Sequence, residues 1–196
     1  SGELRLNGSG IHAGNLVVGE QATLRLTNSQ TFQASSSLTG GGRLAVESGA
    51  HTIDGAYNVA GTTAVSAGTT NFNTAAETQN LTMSAGTLGG NGSLTADGQF
   101  NWTGGTITDT LTLNTPGQSI LSGNNFKYML APLWENTGTV QWTGAYSIYL
   151  GNSSVLHNAA GGVFDLSEAF ISQSSGTTGA RIENAGLFRK TTGASY

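Results

Sequence analysis

The chain has 196 residues, enough to bury one sizeable core, yet only 9% of them are charged, where about 25% is usual for a globular protein. Lys and Arg number only 7 and the net charge is −4, so no basic stripe is available to neutralise phosphates and nucleic-acid binding is not expected. With 37% hydrophobic residues alternating with polar ones, the chain is not typical of a disordered protein, and the lack of an apolar run of about 18 residues predicts no membrane insertion.

The first part of the chain contains a repeat. The triplets Leu4-Arg5-Leu6, Leu24-Arg25-Leu26 and Leu44-Ala45-Val46 follow one another at a constant step of 20 in the numbering. Each triplet alternates, so we expect the apolar side chains to point inward and stack from repeat to repeat, while Arg5 and Arg25 point outward.

The repeat continues through the rest of the chain. Val65–Thr69 recurs as Met83–Thr87 at a step of 18, and Gly98–Gly104 recurs as Gly138–Gly144 at a step of 40, or two periods. A third set, in which Asn precedes small residues and Gly at steps of 22 and 26, comprises Asn136, Asn158 and Asn184. We expect these amides to form a stacked ladder at one corner, where they satisfy backbone groups of the turns.

A period near 20 predicts the fold. It is too short for a strand–helix–strand unit of about 30 residues, but it suits one coil of three short strands and three turns. The expected fold is therefore all-β, a right-handed parallel β-helix (β-solenoid) of about 20 residues per coil and roughly ten coils, forming a single domain over residues 1–196. An antiparallel sandwich would explain the alternation but not the recurrence.

Two segments depart from the period. Residues 116–134 hold both prolines and a cluster of apolar side chains, and we expect an irregular coil there that covers its own core; a partner-binding knob is the alternative. Residues 173–180, which include Ser174–Gly179, are expected to form a surface loop added to one coil.

The C-terminal half resembles a known class of repeats. Trp102–Ile107, Asn136–Gly144, Asn158–Asp165 and Glu183–Lys190 are similar to the β-strand repeats of large secreted bacterial surface proteins, akin to filamentous haemagglutinin and autotransporter adhesins. The resemblance covers most of residues 56–196. It implies an extracellular or cell-surface location and a stalk used for adhesion or fibre formation, and it supplies no catalytic residue.

The residues do not favour an enzyme. Polysaccharide-active β-helices need carboxylates gathered on one face, but the four aspartates fall at different positions of the repeat: Asp54, Asp97, Asp109 and Asp165. The three histidines are isolated and are expected to lie satisfied at the surface: His12, His51 and His157. We therefore predict no catalytic site, no cofactor-binding site and no metal site.

Aromatic and threonine side chains are the candidate binding groups. Trp102 and Trp142 share the parity of inward residues, so we expect core positions instead of a sugar platform, while Tyr146 and Tyr149 are better candidates for exposed contacts. An ice-binding face would need Thr at the same place on successive coils, and Thr106, Thr108, Thr110 and Thr112 are not visibly repeated in that way.

The ends of the chain suggest its use. Ser1–Leu4 and Arg189–Thr192 lie in mid-pattern without an amphipathic cap, so the edges are expected to pair with another copy or with adjoining repeats of a longer chain. The sequence thus predicts a non-enzymatic extracellular structural solenoid that stacks end to end. The alternative is a carbohydrate-binding or adhesin module, with glycans as partners.

Overall fold

The computed structural model describes residues 2–167 and 170–191. Within that part of the chain every assigned element is a strand, all the strand pairs are parallel, and no helix long and apolar enough to cross a membrane is found. The strands, in chain order, are β1 (Gly2–Leu6), β2 (Gly10–His12), β3 (Asn15–Val17), β4 (Ala22–Leu26), β5 (Gln30–Phe32), β6 (Ser37–Gly40), β7 (Arg43–Val46), β8 (Ala50–Ile53), β9 (Ala56–Val65), β10 (Thr69–Phe72), β11 (Ala75–Met83), β12 (Thr87–Gly89), β13 (Ser93–Trp102), β14 (Gly105–Thr108), β15 (Thr112–Thr115), β16 (Gln118–Leu121), β17 (Lys127–Leu130), β18 (Leu133–Asn136), β19 (Thr139–Trp142), β20 (Ile148–Gly151), β21 (Val155–Asn158), β22 (Val163–Leu166), β23 (Ile171–Gln173), β24 (Arg181–Asn184) and β25 (Leu187–Lys190).

The strands stack into three faces, which confirms the predicted parallel β-solenoid, with about nine turns. Face 1 contains β1, β4, β7, the second halves of β9, β11 and β13, and then β16, β19, β22 and β25. Face 2 is the nine-stranded sheet from β2 to β23. Face 3 contains β3, β6, the first halves of β9, β11 and β13, and then β15, β18, β21 and β24.

Coil length varies because the corners absorb extra residues while the strands keep their register. Along face 1, the step in numbering is 20 between the partners Leu6 and Leu26 and 18 between the partners Val65 and Met83. The step grows to 24 between Trp142 and Leu166. A sequence period near 20 is thus an average over a register that is maintained by strand pairing.

The predicted alternation holds. Leu24, Leu26, Leu44 and Val46 are buried and stack in register on face 1. Leu4 lies in the same inward column, yet its side chain is 57% exposed. Leu4 thus points inward and stacks as predicted, but it is exposed because burial of an inward residue needs a coil on both sides and, among the described residues, β1 pairs only with β4.

Aromatic side chains fill the middle of the core. Trp102 and Trp134 make an edge-to-face contact with ring centroids 6.0 Å apart, and Trp134 meets Phe164 in the same way at 5.5 Å. All three residues are fully buried. Such edge-to-face pairs contribute about 0.5–1.5 kcal/mol each beyond the area that they bury.

The predicted asparagine ladder is present. Asn136 Nδ2 donates to Asn158 Oδ1 and Asn158 Nδ2 donates to Asn184 Oδ1, each at 2.8 Å. The same amides bind turn carbonyls: Asn158 Nδ2 also reaches Gly162 O at 3.3 Å and Leu187 O at 3.2 Å. The ladder therefore satisfies buried backbone groups at the corner between faces 3 and 1.

The segment 116–134 differs from its prediction. It is not irregular: it contributes β16, β17 and the start of β18, each paired with the coils before and after it. The two prolines do not interrupt the sheets because Pro116 and Pro132 both lie between strands, at corners where no ladder hydrogen bond is needed. The predicted loop is present at residues 174–180, between β23 and β24, while Gln173 is the last residue of β23.

Close approach of neighbouring turns explains one column of glycines. At the corner before β16, a Cβ added to Gly117 would lie 1.9 Å from the carbonyl oxygen of Gly98, and one added to Gly138 would lie 1.9 Å from that of Gly117. Only glycine allows the backbones of successive coils to stack this closely.

Candidate functional site

Acidic residues are dispersed, as far as the structure describes them. Asp54 Oδ1 accepts a hydrogen bond from Asn73 at 2.7 Å, Asp109 Oδ2 accepts one from Gly90 N at 3.0 Å, and Asp165 pairs with Arg189 at 2.9 Å. These partners belong to different corners and faces. Across residues 2–167 and 170–191, no group of three or more His, Asp or Glu side chains could hold a metal ion.

The histidines have separate environments. His12 Nε2 lies 2.9 Å from Gln30 Oε1, and His157 Nδ1 lies 2.6 Å from Glu135 Oε2. His51 is fully buried, so its expected surface position is wrong: it occupies an inward place on β8, next to Gln30 in the neighbouring coil. Burial lowers the pKa of His51, since desolvation disfavours the charged ring.

The tryptophans lie in the core, as predicted. Trp102 and Trp142 have at most 1% of their surface exposed. Trp102 Nε1 donates to Gly104 O at 3.1 Å. Neither ring can therefore stack on a sugar at the surface.

An aromatic corner lies instead where face 1 meets face 2, and we define it as Phe126, Tyr128, Tyr146 and Tyr149. Phe126 contacts Tyr146 and Tyr149 edge to face at centroid distances of 5.0 and 5.3 Å. Tyr128 and Tyr149 stack at 5.4 Å from adjacent coils, because β17 and β20 pair them in register. Phe126 is 43% exposed and Tyr146 37%. Sequence reasoning found Tyr146 and Tyr149 but placed the other two in a core-covering cluster.

Lys127 lies in the same corner but points inward. Its side chain is fully buried, and its Nζ donates to Asn125 O at 3.2 Å. The pKa of this amine is lowered to about 8, because desolvation disfavours the charged form. The aromatic corner therefore presents rings and hydroxyls to solvent while its cation is enclosed.

Threonines repeat on three successive coils of face 2, so the expectation that they do not repeat is wrong for Thr106, whereas Thr108 pairs with Leu130 and Thr112 with Ser93 and Leu133. One outward column, which we call the hydroxyl column, aligns Thr69, Thr87 and Thr106 in register and continues into Tyr128 and Tyr149. The variable coil length hid it, because the steps in numbering between these residues are 18, 19, 22 and 21. Only Thr106 belongs to the set singled out from the sequence.

Face 1 carries a row of side-chain amides across its central coils. Asn101 Nδ2 donates to Gln99 Oε1 at 2.9 Å, and Gln118 Nε2 donates to Gln141 Oε1 at 3.0 Å. Gln99 Nε2 lies 3.4 Å from Gln118 Oε1. These bonds use much of the amides' capacity internally, so the row stabilises neighbouring coils.

The two end surfaces are the other unusual feature. Among the described residues, β1, β2 and β3 at one end each pair on one side only, and a cleft of about 380 Å³ opens between Leu4 and Leu16. At the other end, β23, β24 and β25 also pair on one side only within residues 2–167 and 170–191, and Ile182 is 43% exposed although it occupies an inward column.

Comparison with known proteins adds no identity. No family model matches the chain, and neither a curated protein nor a solved structure matches it. The resemblance to haemagglutinin-like and adhesin-like repeats therefore stands on the quoted residues alone and remains a prediction.

Proposed function

We propose that this chain is a non-enzymatic, extracellular structural solenoid whose coils stack end to end on a second copy to form a fibre or surface appendage. The observation that supports this proposal is the pair of open, apolar end surfaces. In the part of the chain that the structure describes, each of them has three strands that pair on one side only, and inward side chains such as Leu4 and Ile182 are partly exposed there.

One inward column matches between the two end surfaces. If β1 of a second copy pairs with β25, Leu4 follows Phe188 on face 1, so apolar residues meet in that column, whereas Leu6 follows Lys190 in the other inward column. Because the described chain has ten strands on face 1 and nine on each of faces 2 and 3, β2 and β3 of that copy lie one strand spacing beyond contact with β23 and β24. The new strand pair on face 1 would also satisfy the backbone groups of that open edge. A head-to-tail contact of this kind does not close, so it generates a filament.

Charge predicts how the contact responds to salt. In the same register Arg5 would lie beside Arg189, which opposes stacking at low ionic strength. Asp165 already binds Arg189 and Glu3 already binds Arg25, which reduces the repulsion. We expect assembly to strengthen as salt rises and screens the two guanidinium groups.

Paired substitutions test the proposal. Leu4→Lys places a charge in the end layer, whereas Ile11→Lys adds the same charge to an equally early coil on a side chain that points sideways from face 2. In sedimentation velocity, the wild type and Ile11→Lys should form concentration-dependent larger species, and Leu4→Lys should stay monomeric. Equal behaviour of the two variants would reject stacking through the ends.

A carbohydrate-binding or adhesin module is the second candidate. The observation that favours it is the aromatic corner, whose rings Phe126 and Tyr146 are the more exposed members. Exposed aromatic side chains beside neutral polar groups are typical of binding sites that need a large apolar contact and a few hydrogen bonds.

A further inference from the structure

We propose that the aromatic corner and the hydroxyl column of face 2 together form one linear binding site for a neutral polysaccharide chain that lies parallel to the solenoid axis. The site rests on the carbohydrate-binding candidate and specifies its surface, its direction and its ligand class. It is independent of stacking through the ends.

The first observation is that one column of outward side chains continues across successive coils of face 2. The register places Thr69, Thr87, Thr106, Tyr128 and Tyr149 in one outward column over five successive coils. Parallel strands are about 4.8 Å apart, so the column is about 19 Å long. A column with one hydroxyl-bearing side chain per coil suits an extended repeating polymer better than a compact ligand.

The second support is charge. None of the outward side chains on the described strands of face 2 is charged; they are Ile11, Thr31, Ala50, Thr52, Thr69, Asn71, Thr87, Thr106, Thr108, Tyr128, Leu130, Tyr149 and Ser172. Lys127 points into the core. At the edge of the face, Asp109 lies over Gly89 and is bound to Gly90 N. Such a surface offers nothing to attract an anionic polymer, whereas neutral sugars need hydroxyl, amide and aromatic partners.

The third observation concerns the residues on either side of the column. Phe126 and Tyr146 lie on one side and contact each other. On the other side the loop 174–180 covers Gly151, because a Cβ added to Gly151 would lie 2.7 Å from Thr177 Oγ1. The stacked rings of Tyr128 and Tyr149 lie between these two walls. A polymer chain that follows the column would therefore contact the stacked phenol rings between Phe126 and the loop 174–180.

The phenol hydroxyls complete the polar set. Within the described chain, the hydroxyls of Tyr128, Tyr146 and Tyr149 make no hydrogen bond to another residue. They can donate to and accept from sugar hydroxyls while the rings supply apolar contact.

Affinity electrophoresis tests the site, with native gels that contain hydroxyethylcellulose, mannan or dextran as neutral probes and alginate as the acidic one. The protein carries Leu4→Lys throughout, so that self-association through the ends does not affect mobility and a failure here says nothing about stacking. We expect retardation by at least one neutral polymer and none by alginate.

Variants locate the contact. Phe126→Ala and Tyr149→Ala should each weaken binding about tenfold, the size expected for truncating an anchoring aromatic. Thr87→Asp should weaken binding of the polymer but leave binding of a short oligosaccharide from the same polymer unchanged. Val17→Ala, an exposed apolar change on face 3, is the control and should bind as the wild type does.

Four outcomes would overturn the proposal: no retardation by any neutral polymer, retardation by alginate alone, unchanged binding after Phe126→Ala and Tyr149→Ala, or equal loss of polymer and oligosaccharide binding in Thr87→Asp. Self-association that Phe126→Ala abolishes, without polymer binding, would instead assign this surface to contacts between copies.

Discussion

Replacing Lys127 by methionine should stabilise the protein at neutral pH. The lysine occupies an inward position between Gly105 and Ile148 of the neighbouring coils and is fully buried, and its Nζ donates one hydrogen bond within the described chain, to Asn125 O at 3.2 Å. A buried charge without an anionic partner is costly, and methionine keeps the length of the apolar stem.

The lowered pKa of Lys127 gives the size of this destabilisation. Burial lowers the pKa of Lys127 from 10.5 to about 8. At about 1.36 kcal/mol per pH unit, the charged amine destabilises the folded state by up to about 3 kcal/mol below pH 8. Between pH 8 and 10.5 the unfolded chain binds more protons than the folded one, so the stability of the wild type should rise with pH in that window.

Denaturant unfolding followed by circular dichroism at pH 7 and pH 10 checks both parts. Lys127→Met should be more stable than the wild type by about 1–3 kcal/mol at pH 7, and the difference should shrink at pH 10. A variant that is less stable at pH 7, or a difference that is the same at both pH values, would refute the role given to desolvation.

Three further predictions concern the core and the corners. Asn158→Leu should cost about 2–4 kcal/mol in denaturant unfolding, because it removes the acceptor of the buried Asn136 amide and the donor to Gly162 O, whereas Asn184→Leu at the exposed end of the ladder should cost less. Gly117→Ala should cost more than about 2 kcal/mol through its clash with the neighbouring coil, and Gly14→Ala, with open space around it, less than about 0.5. The wild type should lose more stability than His51→Gln as pH falls from 7 to 5, because the lowered pKa of His51 makes the unfolded chain the better proton acceptor there; equal losses would contradict this.

Strand pairing explains how much of the fold the sequence could predict. Alternation within a strand predicts that Leu24 and Leu44 point inward, and recurrence between coils predicts that they stack on each other. Both patterns are visible in the sequence, and the two residues do pair in register. The asparagine ladder was predictable for the same reason. Leu4 points inward as its alternation predicts, yet it is exposed, because alternation gives the direction of a side chain and not the degree to which it is covered.

The aromatic corner and the hydroxyl column were harder to predict because coil length varies. Tyr128 follows Thr106 at a step of 22 in the numbering, while Thr87 follows Thr69 at a step of 18, so a fixed period of 20 places them in different columns. The two prolines also led to a wrong prediction. Pro116 and Pro132 suggested irregular structure, but both lie at corners, where proline causes no loss of strand hydrogen bonds.

Electron microscopy of the purified chain at several concentrations tests end-to-end stacking most directly. The ten strands stacked on face 1, at about 4.8 Å each, predict unbranched filaments with an axial subunit repeat of about 48 Å, and a reflection near 4.8 Å along the filament axis in fibre diffraction. Short isolated rods at every concentration and salt, or filaments whose subunits contact one another side by side, would contradict stacking through the ends.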